Sequence, residues 1–171
     1  IGKKNLDIGC GNGLISVIHH QELGTSPTLC DVIDIRHPLA KSFPFSLIEN
    51  SHLPFKDQVF DSSYFQYVFH HQSSEKEVSG SLQEAFRVSK TVIIVEEVLG
   101  SKTDITKARI FDDFVNKKIH PNALMSVYKY YSEDEIRNFL KSINHHIIFH
   151  AVVSLGSLQN GFLETHIFVA K

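Results

Sequence analysis

Leu6-Asp7-Ile8-Gly9-Cys10-Gly11-Asn12-Gly13 is the stretch that decides how the rest of the chain is read. A short apolar strand over Asn5 to Ile8 runs into three glycines spaced Gly-x-Gly-x-Gly. A helix over Leu14 to Leu23 comes at once after them, with Leu14, Ile15 and Ile18 on one face and Gly24 as its stop. Glycines between a strand and a helix let the backbone turn sharply and let a ligand approach the main chain closely. The spacing narrows the ligand. A dinucleotide fingerprint puts its third glycine at position 14, where this chain has Leu14. A P-loop needs Gly-Lys-Ser/Thr after four spacers, and no such run is present. Asp7 sets a carboxylate just ahead of the loop, which repels a pyrophosphate but suits a cation or a ribose hydroxyl.

Downstream of the loop, strands alternate with helices. Thr28 to Ile35 reads as a second strand with Asp34 near its end. Pro38 interrupts regular structure after it, and Phe45 to Ile48 is a third strand. Val59 to Phe69 holds a fourth, aromatic-rich strand. Ser74 and Glu77 form a capping box for a helix through Val78, Leu82, Ala85 and Phe86. Thr91 to Val95 is almost wholly apolar and therefore central in the sheet. Asp104 caps a helix through Ile105, Ala108, Phe111 and Val115, and an irregular, tyrosine-rich insert covers 119–131. Ser132 and Glu135 form a second capping box, ahead of Ile136, Phe139, Leu140 and Ile143. His146 to Val153 and Phe162 to Val169 close the chain through a link too short for a crossover helix, so that pair is antiparallel. The expected architecture is a single α/β domain over 1–171. It is a doubly wound, seven-stranded, mostly parallel sheet with a C-terminal antiparallel hairpin and helices on both faces.

Composition limits the partners. The chain has 171 residues, 42% hydrophobic and 21% charged, enough for one well-buried core and unlike a disordered sequence. Seventeen basic and 19 acidic residues give a net charge of −2, and no Lys/Arg run marks a nucleic-acid surface. No apolar stretch approaches the ~20 residues that span a bilayer. Two cysteines cannot build a disulfide framework, which points to a reducing, cytoplasmic setting. No Asp/Glu/His set has metal-ligand spacing, so no metal is expected.

Five segments in order carry a family resemblance. They are Leu6 to Gly13, Val32-Ile33-Asp34-Ile35, Glu49-Asn50-Ser51-His52-Leu53-Pro54-Phe55, the run from Val59-Phe60-Asp61 through His70-His71, and Glu84-Ala85-Phe86-Arg87-Val88. Together they resemble the class I S-adenosylmethionine-dependent methyltransferases, and most closely the small single-domain members that act on small or lipid-like molecules. The resemblance implies a Rossmann-like fold, S-adenosyl-L-methionine as cofactor, and methyl transfer to a small-molecule acceptor. It also implies a cofactor site. Asp7, Gly9, Cys10, Gly11, Asn12 and Gly13 would flank the methionine and ribose portion. Asp34 would take the ribose hydroxyls and Ile35 would pack on the adenine. Glu49, where the family usually has Asp, and Asn50 would meet the adenine edge. Phe65 and Gln66, at the end of the fourth strand, would lie near the reactive methyl group. The family carries a helical segment before its first strand. This chain opens on Ile1-Gly2 with that strand a few residues away, so it is expected to be a trimmed piece lacking that cover.

A base is needed only where the acceptor must lose a proton. His71, in the His70-His71 doublet after the fourth strand, is the candidate, though a histidine there can equally cap the next helix. Fold alone does not establish turnover, so a cofactor-binding regulatory module without catalysis stands as the alternative.

Overall fold

The computed structural model describes residues 2–49, 52–100, 104–119, 127–153 and 164–171, apart from the side chains of residues 115, 116 and 119. In chain order these residues form β1 (Lys4–Ile8), α1 (Leu14–Leu23), β2 (Ser26–Asp31), β3 (Phe45–Leu47), β4 (Ser62–Gln66) and α2 (Glu75–Val88). Then come β5 (Val92–Val98), α3 (Ile105–Ile119), α4 (Glu133–Ser142), β6 (Ile147–Val153) and β7 (Glu164–Ala170). The strands make one seven-stranded sheet in the order β3-β2-β1-β4-β5-β7-β6. β1 to β5 pair in parallel, while β7 runs antiparallel to both β5 and β6. This is the architecture expected from the sequence, with the reversed strand one place in from the edge.

Side-chain alternation sends the two faces of each strand to different helices. Leu6, Ile8, Phe65, Ile94 and Phe168 join Val78, Leu82 and Ala85 of α2 and Ile136 and Leu140 of α4 in the main core. On the opposite face Leu29 packs with Val17 of α1 and with Ala40. Each fully buried Leu or Phe in the core contributes about 1.5–3 kcal/mol of transfer free energy. The N-terminus of α4 has the full capping box, Ser132 Oγ accepting from the Glu135 amide and Glu135 accepting from the Ser132 amide. At α2 the box is displaced. Ser74 Oγ accepts from the Glu77 amide, but the Glu77 carboxylate reaches one residue further, to Ser73 N–H.

Three local expectations are corrected. β2 stops at Asp31 rather than Ile35, because Asp31 pairs with the last residue of β3 and its own carboxylate then accepts from Val32 N–H at 2.7 Å. β4 stops at Gln66, because Tyr67 takes a left-handed φ of 57° that no extended ladder accommodates. α1 turns Ser16 and Val17 inward and leaves Ile15 and Ile18 exposed. The buried polar partners of Ser16, Asp7 and Tyr64, set that rotation. No helix among the described residues is long and apolar enough to cross a membrane.

Candidate functional site

Strand order reverses between β1 and β4, and in open parallel sheets a ligand crevice forms at that point, beyond the carboxyl ends of the strands. The register sets Ile8, Cys30 and Phe65 side by side at that edge. Gly9 leaves β1 with φ 74°, and a Cβ there would meet Val68 Cγ2 at 2.8 Å. The chain crossing beyond β4 therefore presses directly on the glycine loop. Gly13, with φ 71°, is held as tightly, since a Cβ would meet Ala40 and Leu29 at 2.8 Å.

Four of the loop amides are spoken for within the protein. Gly9 and Cys10 N–H donate to Cys30 O, Gly13 N–H to Cys10 O, and Gly11 N–H to Asp31 Oδ2 at 2.8 Å. A phosphate cradle needs such groups free and convergent. This loop instead offers a closely approachable backbone without a set of open donors, in keeping with a non-phosphate ligand. Asn12 Oδ1 accepts from Leu14 N–H and so organises the first turn of α1.

A cleft of about 270 Å³ lies beside the loop. Gly9 and Asp31 form one side, and Val32, Ile48 and Leu53 supply an apolar wall. Tyr67, Val68, His71 and Gln72 close the side beyond β4, with Glu77 and Ser81 of α2 next to them. Asp31 is 4% exposed, and its carboxylate accepts from Gly11, Val32 and, at 3.4 Å, Ile33 N–H. The wall at Leu53 is braced from behind. Arg87 donates to Leu53 O and Phe55 O and to the carboxylates of Asp57 and Glu84, and Glu84 accepts from Leu53 N–H. Hydrogen bonding to Arg87 holds the Glu84 carboxyl down at about 2.

The expected site residues fall into separate groups. Gly9 and His71 line the cleft. Gly11 and Asn12 shape it from the loop, and Cys10 packs its half-buried side chain on the Val17–Leu29–Ala40 cluster. Asp34 sits beyond the strand in an exposed loop, where Arg36 grips it through two hydrogen bonds of 2.9 Å and lowers its pKa to about 2. Ile35 is half-buried in the same loop. Asp7 is buried under α1, where Ser16 Oγ donates to it at 2.7 Å and also meets Tyr64 Oη. Burial pushes the Asp7 carboxyl up to about 7 against those hydrogen bonds. Glu49 is exposed and pairs in a small bridge with His52. Phe65 turns its ring into the core against Phe69, and Gln66 is half-buried at the end of β4. Asn50 lies outside the described residues. The strand-end acid at the cleft is thus Asp31, and the apolar residue beside it is Val32. The acid that interrupts the apolar run over 28–35 is the available signal.

Past the cleft, the ends of β4 and β5 hold a buried polar group. Glu96, fully buried on β5, accepts from His70 Nδ1 at 2.6 Å and from the amides of Phe69 and Glu97. Burial is the largest single influence and works against a charged His70 ring, yet Glu96, Asp112 and Glu97 together raise the His70 pKa. The His71 ring lies 4.1 Å from that of His70. His70 O accepts from Tyr128 N–H at 2.7 Å, which brings the 127–131 segment and Tyr130 over the histidines. Burial pushes Glu97 up to about 7.

Comparisons agree with this geometry. The family model described as "Methyltransferase domain" matches residues 6–92. No curated protein is significantly similar to the chain in sequence. Among solved structures, a SAM-dependent methyltransferase from Methanosarcina mazei is 22% identical with a TM-score of 0.76, over 99% of this chain and 93% of that one. Geranyl diphosphate C-methyltransferase from Streptomyces coelicolor, solved with S-adenosyl-L-homocysteine, is 10% identical with a TM-score of 0.68, over 99% and 72%. A 1,6-didemethyltoxoflavin-N1-methyltransferase from Burkholderia thailandensis, with bound 1,6-didemethyltoxoflavin and S-adenosylhomocysteine, is 17% identical with a TM-score of 0.70, over 98% and 69%. At these identities the structures speak for the fold, and the family model speaks for the lineage. With its glycine loop, strand-end acid and cleft at the switch point, the chain belongs to the class I methyltransferases, whose cofactor is S-adenosyl-L-methionine.

Proposed function

We propose that the chain transfers the methyl group of S-adenosyl-L-methionine to a small-molecule acceptor by in-line displacement. The observation that carries this reading is the Asp31 carboxylate, buried at the end of β2 and anchored by loop amides, beside an apolar slot. Two adjacent ribose hydroxyls suit such a fixed, charged acceptor. Asp31 therefore takes the ribose role that the sequence motif put on Asp34. Val32, Ile48 and Leu53 take the adenine, in place of Ile35 and Glu49. The backbone from Gly9 to Gly13 runs beside the methionine portion, and the end of β4 at Phe65 and Gln66 faces the methyl end.

The cofactor, when bound, supplies a methyl group already activated by its sulfonium charge. What remains for the protein is alignment, and a well-aligned pair gains ~7–11 kcal/mol from avoided entropy loss. His71 lines the cleft and is the side chain placed to take a proton from the acceptor. The near-neutral chain and the small cleft favour a small molecule over a nucleic acid. Relatives solved with geranyl diphosphate and with 1,6-didemethyltoxoflavin support that substrate class. Cys10 and Cys30 are free thiols, which supports a reducing, cytoplasmic setting.

Calorimetric titration with S-adenosylhomocysteine, beside NAD, tests the cofactor reading. Micromolar binding of the first and none of the second is expected. Binding of NAD alone, or of neither, overturns it.

A further inference from the structure

His70, His71 and Asp112 bring one ligand atom each to within 4.8 Å of one another, at the rim where His71 lines the cleft. No spacing in the sequence marks this set, because Asp112 comes from α3, far downstream of the two histidines. We propose that these three side chains bind a first-row divalent metal ion, with Glu96 as the residue that positions His70.

Hydrogen-bond geometry leads there. His70 Nδ1 is committed to Glu96 at 2.6 Å. Its other nitrogen, Nε2, faces Asp112 Oδ1 at 3.9 Å. A proton shared between nitrogen and oxygen draws the pair to about 2.7–3.2 Å, so this gap is too wide for a hydrogen bond. Two metal–ligand bonds of about 2.0–2.2 Å close it with a sub-ångström adjustment. Two imidazoles and a carboxylate are a common donor set for such ions, and they leave coordination positions open.

The surroundings support the same reading. A buried carboxylate behind a histidine fixes the ring and the tautomer and strengthens the opposite nitrogen as a ligand. Glu96 is itself immobilised by the amides of Phe69 and Glu97. Tyr130, 3% exposed, packs its ring 5.5 Å from that of His70, and its hydroxyl has no partner among the described residues. A buried phenol without a partner beside the cluster is the kind of group a bound ion or its water satisfies.

A second set, Glu133, His150 and His166, also converges. There the Arg137 guanidinium already holds Glu133 and stands 3.1 Å from His150 Nδ1, so a cation is in place. That set serves as the control.

The full chain, stripped with chelator, is titrated with Zn2+ by calorimetry and with Co2+ by visible absorption. One equivalent of Zn2+ is expected, with Co2+ bands showing nitrogen and oxygen ligands. His71→Ala and Asp112→Asn, both at half-buried positions, should each weaken binding at least about tenfold while keeping the wild-type circular dichroism. Glu133→Gln should leave binding unchanged. Absence of stoichiometric binding overturns the site, as does binding that survives both variants or is lost in Glu133→Gln. A metal role for His71 replaces its role as a base. The metal assignment does not rest on the cofactor reading. S-adenosylhomocysteine titrated on the same samples separates the two, since either ligand can bind without the other.

Discussion

Replacing Asp31 by alanine tests the central assignment, with Asp34→Ala as its partner experiment. An ionised carboxylate has about four lone-pair sites. At Asp31 the amides of Gly11 and Val32 use two of them firmly, and Ile33 N–H uses a third weakly at 3.4 Å. A ribose hydroxyl donating to this anchored, charged group is the contact that the variant removes. A hydrogen bond to a charged group contributes about 1.5–3 kcal/mol, so losing one ribose contact costs about 2–3 kcal/mol. In S-adenosylhomocysteine affinity this is a weakening of about 30–150-fold by calorimetry. The stranded Gly11 and Val32 amides add about 1–2 kcal/mol of destabilisation, about 2–8 °C in Tm for a domain of this size. Asp34 is exposed and tied to Arg36 in a surface pair worth at most about 1 kcal/mol, so its variant should change affinity less than about twofold. A large loss in Asp34→Ala with full affinity in Asp31→Ala would refute the reasoning.

Other substitutions test contacts already described. Arg87→Met releases Leu53 O and Phe55 O and frees Glu84 and Asp57. Thermal melts should show a loss of about 2–4 kcal/mol, and S-adenosylhomocysteine binding should weaken because the wall at Leu53 loses its brace. Gly13→Ala places a methyl 2.8 Å from two side-chain carbons at φ 71°, and denaturant titration should report about 2 kcal/mol or more of destabilisation. The pH dependence has a defined sign. Asp7 titrates near 7 when folded against 3.8 as its ordinary value, so its contribution is complete below about 3.8 and declines as pH rises through about 7. Asp7→Asn, which stays neutral, should flatten the fall in denaturation midpoint across that window. An unchanged slope would show that Asp7 titrates normally.

Much of the architecture was legible because it rests on local signals. Hydrophobic alternation, two serine caps and a short final link were enough to order strands and helices. The site was less legible because its details depend on partners. Val32-Ile33-Asp34-Ile35 has the β-branched character of a strand, yet it has no paired neighbour among the described residues, and the Asp31 side chain captures the amides that would have continued the ladder. Ile15 and Ile18 read as the inner face of α1, but the Asp7–Ser16–Tyr64 hydrogen bonds rotate Ser16 inward. Glu49 matched a motif position while its neighbours Ile48 and Leu53 form the wall. The grouping of His70, Glu96 and Asp112 arises from three separate elements, and no local pattern joins them.

The placement of β7 bears on how the molecule is assembled during synthesis. Emerging amino end first, the polypeptide can lay down β1 through β5 in succession, and β6 comes next. None of this gives β5 its second neighbour, because Glu164–Ala170 is the segment that pairs with Val92–Val98 and Ile147–Val153 together. Until that segment leaves the ribosome, the hydrogen-bonding edge of β5 stays open and β6 has nowhere to dock. A ribosome stalled before it would therefore present an apolar edge with Ile93 and Ile94 on it, the kind of surface that nascent-chain chaperones cover and that joins to other unfinished chains.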